Sequence, residues 1–294
     1  MYINSNSMAT QVSNNLTSHY SDLKTSTERL SSGLRINSAA DDAAGLAIRE
    51  LMRTDIAALQ QGVRNANDAI SLIQTADGAL GIIDEKLTRM KELAEQAATG
   101  TYDSTQRLMI ESEYQAMASE ITRIANATDF NGIHLLDGNL SSDTHDGSGM
   151  SSTGKLKVHF GTANDSAEDY YYIKIGTSTA SALGVGNQAV GTDGLTVSTQ
   201  EAAQKALVAI TNAVVSKDKI RAHLGALQNR LENTISNLTT QSENLQAAES
   251  RISDVDVATE MTTFVRNQIL TQSSVAMLSQ ANSMPRMAMT LISG

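Results

Sequence analysis

Residues 56–98 read IAALQQGVRNANDAISLIQTADGALGIIDEKLTRMKELAEQAA, and their spacing decides the fold. Leu59, Ala66, Ile73, Leu80, Leu87 and Ala94 recur at sevens, which draws one apolar seam along a helix. A second line runs beside it through Ile56, Val63 and Ile70, then continues as Ala76, Ile83, Met90 and Ala97 after a one-residue slip. Asp41 or Asp42 is placed to cap this helix and Gly100 to end it. A helix of that extent is roughly 85 Å long at ~1.5 Å per residue. Such a seam needs a second helix to cover it.

Outward from this helix the pattern is a rough mirror. Asp103 or Ser104 caps a third helix with the stripe Ile110, Tyr114, Met117, Ile121 and Ile124. Far down the chain, Ser198-Thr199-Gln200-Glu201 reads as a capping box. It opens a helix whose seam is Leu224, Leu231, Leu238, Leu245 and Ile252, with Ile220 and Leu227 beside it. The two ends are weaker. Residues 4–34 carry a narrow line, Leu16, Leu23 and Leu30, with Val12 and Leu34, in a background of Ser, Thr and Asn that competes for backbone hydrogen bonds. Residues 254–292 carry Val257, Met261, Phe264, Val275 and Leu278. The strong seams are expected to pair with each other, and the weak ends likewise. Weak ends would order fully only when neighbouring molecules cover them.

The centre, 128–197, changes character. Asn131-Gly132 and Asp137-Gly138 are hairpin-type turns flanking Ile133 to Leu136. KLKVHF (155–160) and YYYIKI (170–175) alternate apolar and polar residues and should pair as a hairpin. Residues 176–194 read as exposed loop or irregular β. The fold class expected is therefore mainly α: an elongated antiparallel helical coiled-coil rod with a small β-hairpin region from the middle of the chain.

Composition narrows the function. Among 294 residues there are three Phe, no Trp, one Pro and no Cys, so a thick aromatic core, disulfides and thiol catalysis are all excluded. A net charge of −10 without a basic run argues against nucleic acid. No apolar stretch approaches the ~18 residues that would span a membrane. The start of the chain lacks the pattern of a secretory signal peptide. His19, His134, His145, His159 and His223 form no metal-ligand spacing, and Asp143, His145 and Asp146 would make a weak metal site at most. No nucleophile elbow or phosphate loop is present, so neither an enzyme nor a cofactor is expected.

Three longer stretches carry a resemblance. LSSGLRINSAADDAAGLAI (30–48) resembles the N-terminal signature of bacterial flagellins, ATEMTTFVRNQILTQSSVAMLSQAN (258–282) their C-terminal signature, and FNGIHLLDG (130–138) the link after the third helix. The resemblance implies an inner terminal coiled-coil domain of residues 1–42 and 254–294. It implies a rod domain of 43–253, with helices 43–98, 104–127 and 198–252, a β-rich segment 128–197 and no separate outer domain. It implies a filament subunit serving motility and assembling through Leu16, Leu23, Leu30, Leu34, Val257, Met261, Phe264, Val275 and Leu278. Export unfolded by the flagellar type III route would explain the missing signal peptide and place the protein outside the cell. Implied partners are further subunits, the cap and hook-associated proteins, an export chaperone and the host Toll-like flagellin receptor. The receptor's contacts align with Arg89, Leu93 and Glu113. Junction proteins between hook and filament share terminal helices, but the full pattern at both ends favours the filament subunit. Ser and Thr residues of 141–153 and 177–181 resemble acceptors of O-linked sugars in some flagellins. The end departs from the common Leu-rich tail: Met284-Pro285-Arg286 is followed by Met287, Met289, Leu291 and Ile292.

Overall fold

A computed structural model describes residues 6–148, 153–165, 168–186 and 196–293. Long helices dominate: α1 (Ser7–Ser32), α2 (Ala43–Ala98), α3 (Ser104–Ala127), α5 (Gln200–Ser253) and α6 (Val257–Ser293). Between α3 and α5 lie β1 (Asp129–Phe130), β2 (Ile133–His134), β3 (His145–Asp146), β4 (Thr153–Gly154), β5 (Leu156–His159), β6 (Tyr170–Ile173) and the short α4 (Ala180–Leu183). The chain forms two compact units, residues 1–56 with 243–294 and residues 57–242. The terminal unit takes in the first part of α2 and the last part of α5.

In the terminal unit, α1 and α6 run antiparallel. Asn6 donates to the carbonyl of Ala281, Arg29 approaches Glu260 at 3.8 Å, and Leu34 bridges to Asp254. The partner that the sparse first helix needs is thus the last one. Gly33 ends α1 at φ 73°, a left-handed turn open to glycine, and its carbonyl accepts from Val255. Asp42 caps α2 through the amide of Gly45, while Asp41 holds the preceding turn by accepting from the amides of Asn37 and Ser38. These donors keep the Asp41 carboxyl below its ordinary pKa.

In the central unit the expected second line of α2 is corrected. The buried line is Gly62, Ala69, Ala76, Ile83, Met90 and Ala97, continuous at sevens, whereas Val63 and Ile70 are only half-buried. No slip in phase exists. Small residues hide the seam from a search for large ones, and Gly62 is required because a Cβ there would lie 2.0 Å from the carbonyl oxygen of Phe160. Gly100 does not end α2 in a left-handed turn; Arg107 of α3 caps it by donating to the carbonyls of Ala97 and Thr99. Asp103 and Gln106 form a capping box at the start of α3. At α5 the cap is Thr199, whose hydroxyl accepts from Ala202, and not Ser198.

The α5 seam is longer than its leucines. Ala203, Ile210, Lys217, Leu224, Leu231 and Leu238 are all buried at sevens, with a lysine in the line. Lys217 is paired with Asp84 of α2 and Asp218, and Arg221 forks onto Asp77, which fixes α2 and α5 as antiparallel partners.

Asn131 (φ 51°) and Gly132 (φ 78°) make the two-residue turn between β1 and β2. Asp137-Gly138 closes no strand pair; Ser141 folds back on the Gly138 carbonyl instead. Strands β5 and β6 pair from Leu156–Ile173 to His159–Tyr170, with Val158, Phe160, Ile173 and Ile175 buried beneath. The expectations for segment 176–186 are overturned. Segment 176–186 is not exposed: Ala180, Leu183 and Val185 are core residues, and α4 is capped by Thr179. Ser178 is 0% exposed, which removes it as a sugar acceptor. His145 lies in β3 with its Nδ1 on the Lys155 carbonyl, and Asp143 pairs with Lys174, so the three groups do not converge. Residues 149–152 and 187–194 of the expected loops lie outside the described residues.

Candidate assembly surface

The pairing of α1 with α6 covers polar as well as apolar side chains of α6 and leaves further apolar ones outside. On α6 the side turned to α1 advances by threes and fours: Glu260, Phe264, Asn267, Thr271, Ser274, Leu278, Ala281 and Pro285. Asn267 and Thr271 are only 8% and 6% exposed, and Thr271 turns its hydroxyl back onto the Asn267 carbonyl. Besides Phe264 and Leu278 on that side, further large apolar side chains lie elsewhere on the circumference. Val257, Met261, Val265, Ile269, Leu270, Val275, Met277, Met287 and Met289 are between 38% and 57% exposed. Met261, Val265, Ile269 and Met277 share one i, i+4 row. A helix with apolar side chains on more than one face has more to bury than a single partner covers.

On α1 the seam is Val12, Leu16, His19, Leu23, Ser26 and Leu30, half-buried except for the fully covered Ser26. Of the nine sequence-derived assembly residues, Leu16, Leu23, Leu30, Leu34, Phe264 and Leu278 are half-buried within the terminal unit. Val257, Met261 and Val275 face outward. The single stripe expected of α6 leaves out Val265, Ile269, Leu270 and Met277; their signal is that apolar residues of 257–292 fall on more than one face of the helix. Asp256 caps α6 through the amides of Ala258 and Thr259 and the Thr259 hydroxyl, which together lower its pKa.

The three receptor-aligned residues separate. Arg89 donates through Nε and Nη2 to Glu113 Oε1 at 3.0 and 2.8 Å and through Nη1 to Glu92, and both partners are half-exposed. Leu93 is 1% exposed and belongs to the core below them, so it presents no surface for contact.

The model of the bacterial flagellin N-terminal helical region matches residues 3–141, and that of the C-terminal helical region matches residues 207–292. The chain belongs to the bacterial flagellin family. It is 41% identical to the flagellar filament 33 kDa core protein of Treponema phagedenis, over 99% of this chain and 100% of that one. It is 42% identical to the flagellin of Bacillus subtilis, again over 99% and 100%. The crystal structure of Bacillus cereus flagellin matches at 28% identity and a TM-score of 0.46, covering 63% of this chain and 94% of that one. As a flagellin, the chain is a structural protein of the bacterial flagellar filament and not an enzyme. Among the described residues no helix is long and apolar enough to cross a membrane.

Proposed function

We propose that this flagellin polymerises by burying the outward side of α6 between neighbouring copies of the terminal unit, which serves as the inner domain of the filament. The observation that carries this reading is the apolar surface that α6 leaves uncovered: Asn267 and Thr271 are covered inside one chain while Val265 and Ile269 are left to water. A monomer leaves that part of its apolar area unburied. A polymer gains roughly 1 kcal/mol for each half-exposed side chain it finishes burying. The α1 line of Leu16, Leu23, Leu30 and Leu34, with Phe264 and Leu278, then holds the pair together, and Val257, Met261 and Val275 take part in contacts between subunits. The central unit serves as the rod domain, without a separate outer domain. Export through the flagellar secretion route, a dedicated chaperone, the cap and hook-associated proteins as neighbours, and an extracellular filament complete the proposal.

The test is a pair of variants. Val265→Asp/Ile269→Asp should keep the helical circular dichroism of the monomer and abolish seeded filament growth. Leu16→Asp/Leu23→Asp should also abolish growth, but with loss of helix from the terminal unit. Normal filaments from Val265→Asp/Ile269→Asp would sink the assignment.

Recognition by the Toll-like flagellin receptor is proposed for the exposed Arg89–Glu113 pair, with Leu93 positioning it from below. Charge reversal at Arg89 should lower the response of receptor-bearing reporter cells without altering assembly. An unchanged response would rule this pair out.

A further inference from the structure

The outward side of α6 carries a chemistry that burial alone does not require. Five of the chain's twelve methionines, Met261, Met277, Met284, Met287 and Met289, lie in this one helix. Met261, Met277, Met287 and Met289 are between 45% and 56% exposed, against 0% for Met90 in the central core. Leucine would fill an apolar interface as well, whereas a thioether is open to two-electron oxidation. With no cysteine in the chain, no thiol competes for an oxidant.

We propose that the outward side of α6 is a reversible oxidation site that controls polymerisation, with hydrogen peroxide or a related peroxide as the oxidant. This rests on the reading of that side as the contact between subunits. The thioether sulfur attacks one peroxide oxygen and the O–O bond breaks. The sulfur gains that oxygen as a sulfoxide and is oxidised by two electrons, and the other oxygen leaves as water. The product has a strong acceptor in place of an apolar sulfur. Beside Val265, Ile269 and Leu270 that acceptor must give up its water to be covered, which opposes burial. Several such groups on each subunit act together. Once a filament has formed, the same sulfurs are covered, so oxidation acts on the free subunit. A methionine sulfoxide reductase returns the thioether and with it the capacity to assemble.

The experiment treats full-length monomer with graded hydrogen peroxide, quenches it with catalase, and maps each methionine by peptide mass spectrometry. Seeded growth is then followed by sedimentation and electron microscopy. Met261 and Met277 should oxidise several-fold faster than Met90. The critical concentration should rise at least about tenfold, a change of ~1.4 kcal/mol per subunit. Reductase treatment should restore it. Met109→Leu, which removes the most exposed methionine outside α6 among the described residues, should remain as sensitive as the parent. Normal growth of monomer fully oxidised at Met261 and Met277, or a loss that reductase does not reverse, would overturn the inference. Formed filaments treated in parallel separate it from the reading beneath it. Equal oxidation of Met261 and Met277 in filament and monomer would refute the buried interface itself. Protection in the filament with unaffected growth of oxidised monomer would refute only the switch.

Discussion

Lys217 is 2% exposed at its side chain and occupies a leucine's place in the α5 seam, with Nζ 2.5 Å from Asp84 and 2.8 Å from Asp218. At an effective dielectric of 20 each contact is worth about 6 kcal/mol of gross attraction. Removing the ammonium from water costs several kcal/mol, which offsets much of that gain. Lys217→Met keeps the length of the side chain, removes the buried charge and leaves two acids that are 40% and 59% exposed and simply resolvate. That variant should be neutral or more stable by up to ~2 kcal/mol. Asp84→Ala/Asp218→Ala leaves the buried ammonium unpartnered and should cost about 2–4 kcal/mol, below the usual figure for a buried pair because both acids are part-exposed. Urea titration below the assembly concentration reads this out through tyrosine near-UV dichroism, since Tyr102, Tyr114, Tyr170, Tyr171 and Tyr172 all lie in the central unit. With a slope near 2 kcal/mol/M, the double variant's midpoint should fall by about 1–2 M. A double variant unfolding at the parent's midpoint would show that Lys217 is not confined. A Lys217→Met variant as weak as the double would show that the pairs are net stabilising.

Gly62→Ala gains helix propensity but sets a Cβ 2.0 Å from the Phe160 carbonyl. The net change should be a loss of about 1–2 kcal/mol, read as a lower urea midpoint; an unchanged midpoint would mean that the hairpin yields freely. Arg107→Ala uncaps two carbonyls at the end of α2 and should raise amide exchange in residues 96–103 while leaving the middle of α2 protected. Asp41 and Asp256 have folded pKa values held below the ordinary carboxylate range by their amide and hydroxyl donors. Their contribution is therefore present above about pH 4 and lost as pH falls through the depressed values. Acid titration of far-UV dichroism should show the terminal helices weakening there, with a shallower pH dependence in Asp256→Ala. Identical profiles would remove Asp256 from the account.

Periodicity made the long helices legible because a seam buried along many turns leaves large side chains at sevens. The Asn131-Gly132 turn and the β5–β6 alternation were legible for the same kind of reason: each is a local pattern with a local cause. Reading failed where the cause was not local. Gly62 and Ala69 look like gaps in a stripe until the Phe160 backbone is set against α2. Segment 176–186, rich in Gly, Ser, Thr and Ala, looks solvated until α3 is placed beside it, where Gly186 approaches Ala118 closely enough that no Cβ would fit. Lys217 looks like the end of a seam until Asp84 arrives from α2.

The assembly surface divides in the same way. Sequence alone determined that both ends of this chain are helical, that each is too weakly apolar on one stripe to stand alone, and how many apolar residues 257–292 carries. Only the tertiary structure decided which part of that helix's circumference is used within the molecule. The antiparallel register of α1 against α6 covers Asn267, Thr271 and Ser26 and leaves Val265, Ile269, Met261, Met277, Met287 and Met289 outside. A helix's own sequence states how much apolar surface it has, but which side is covered depends on where the partner's backbone lies.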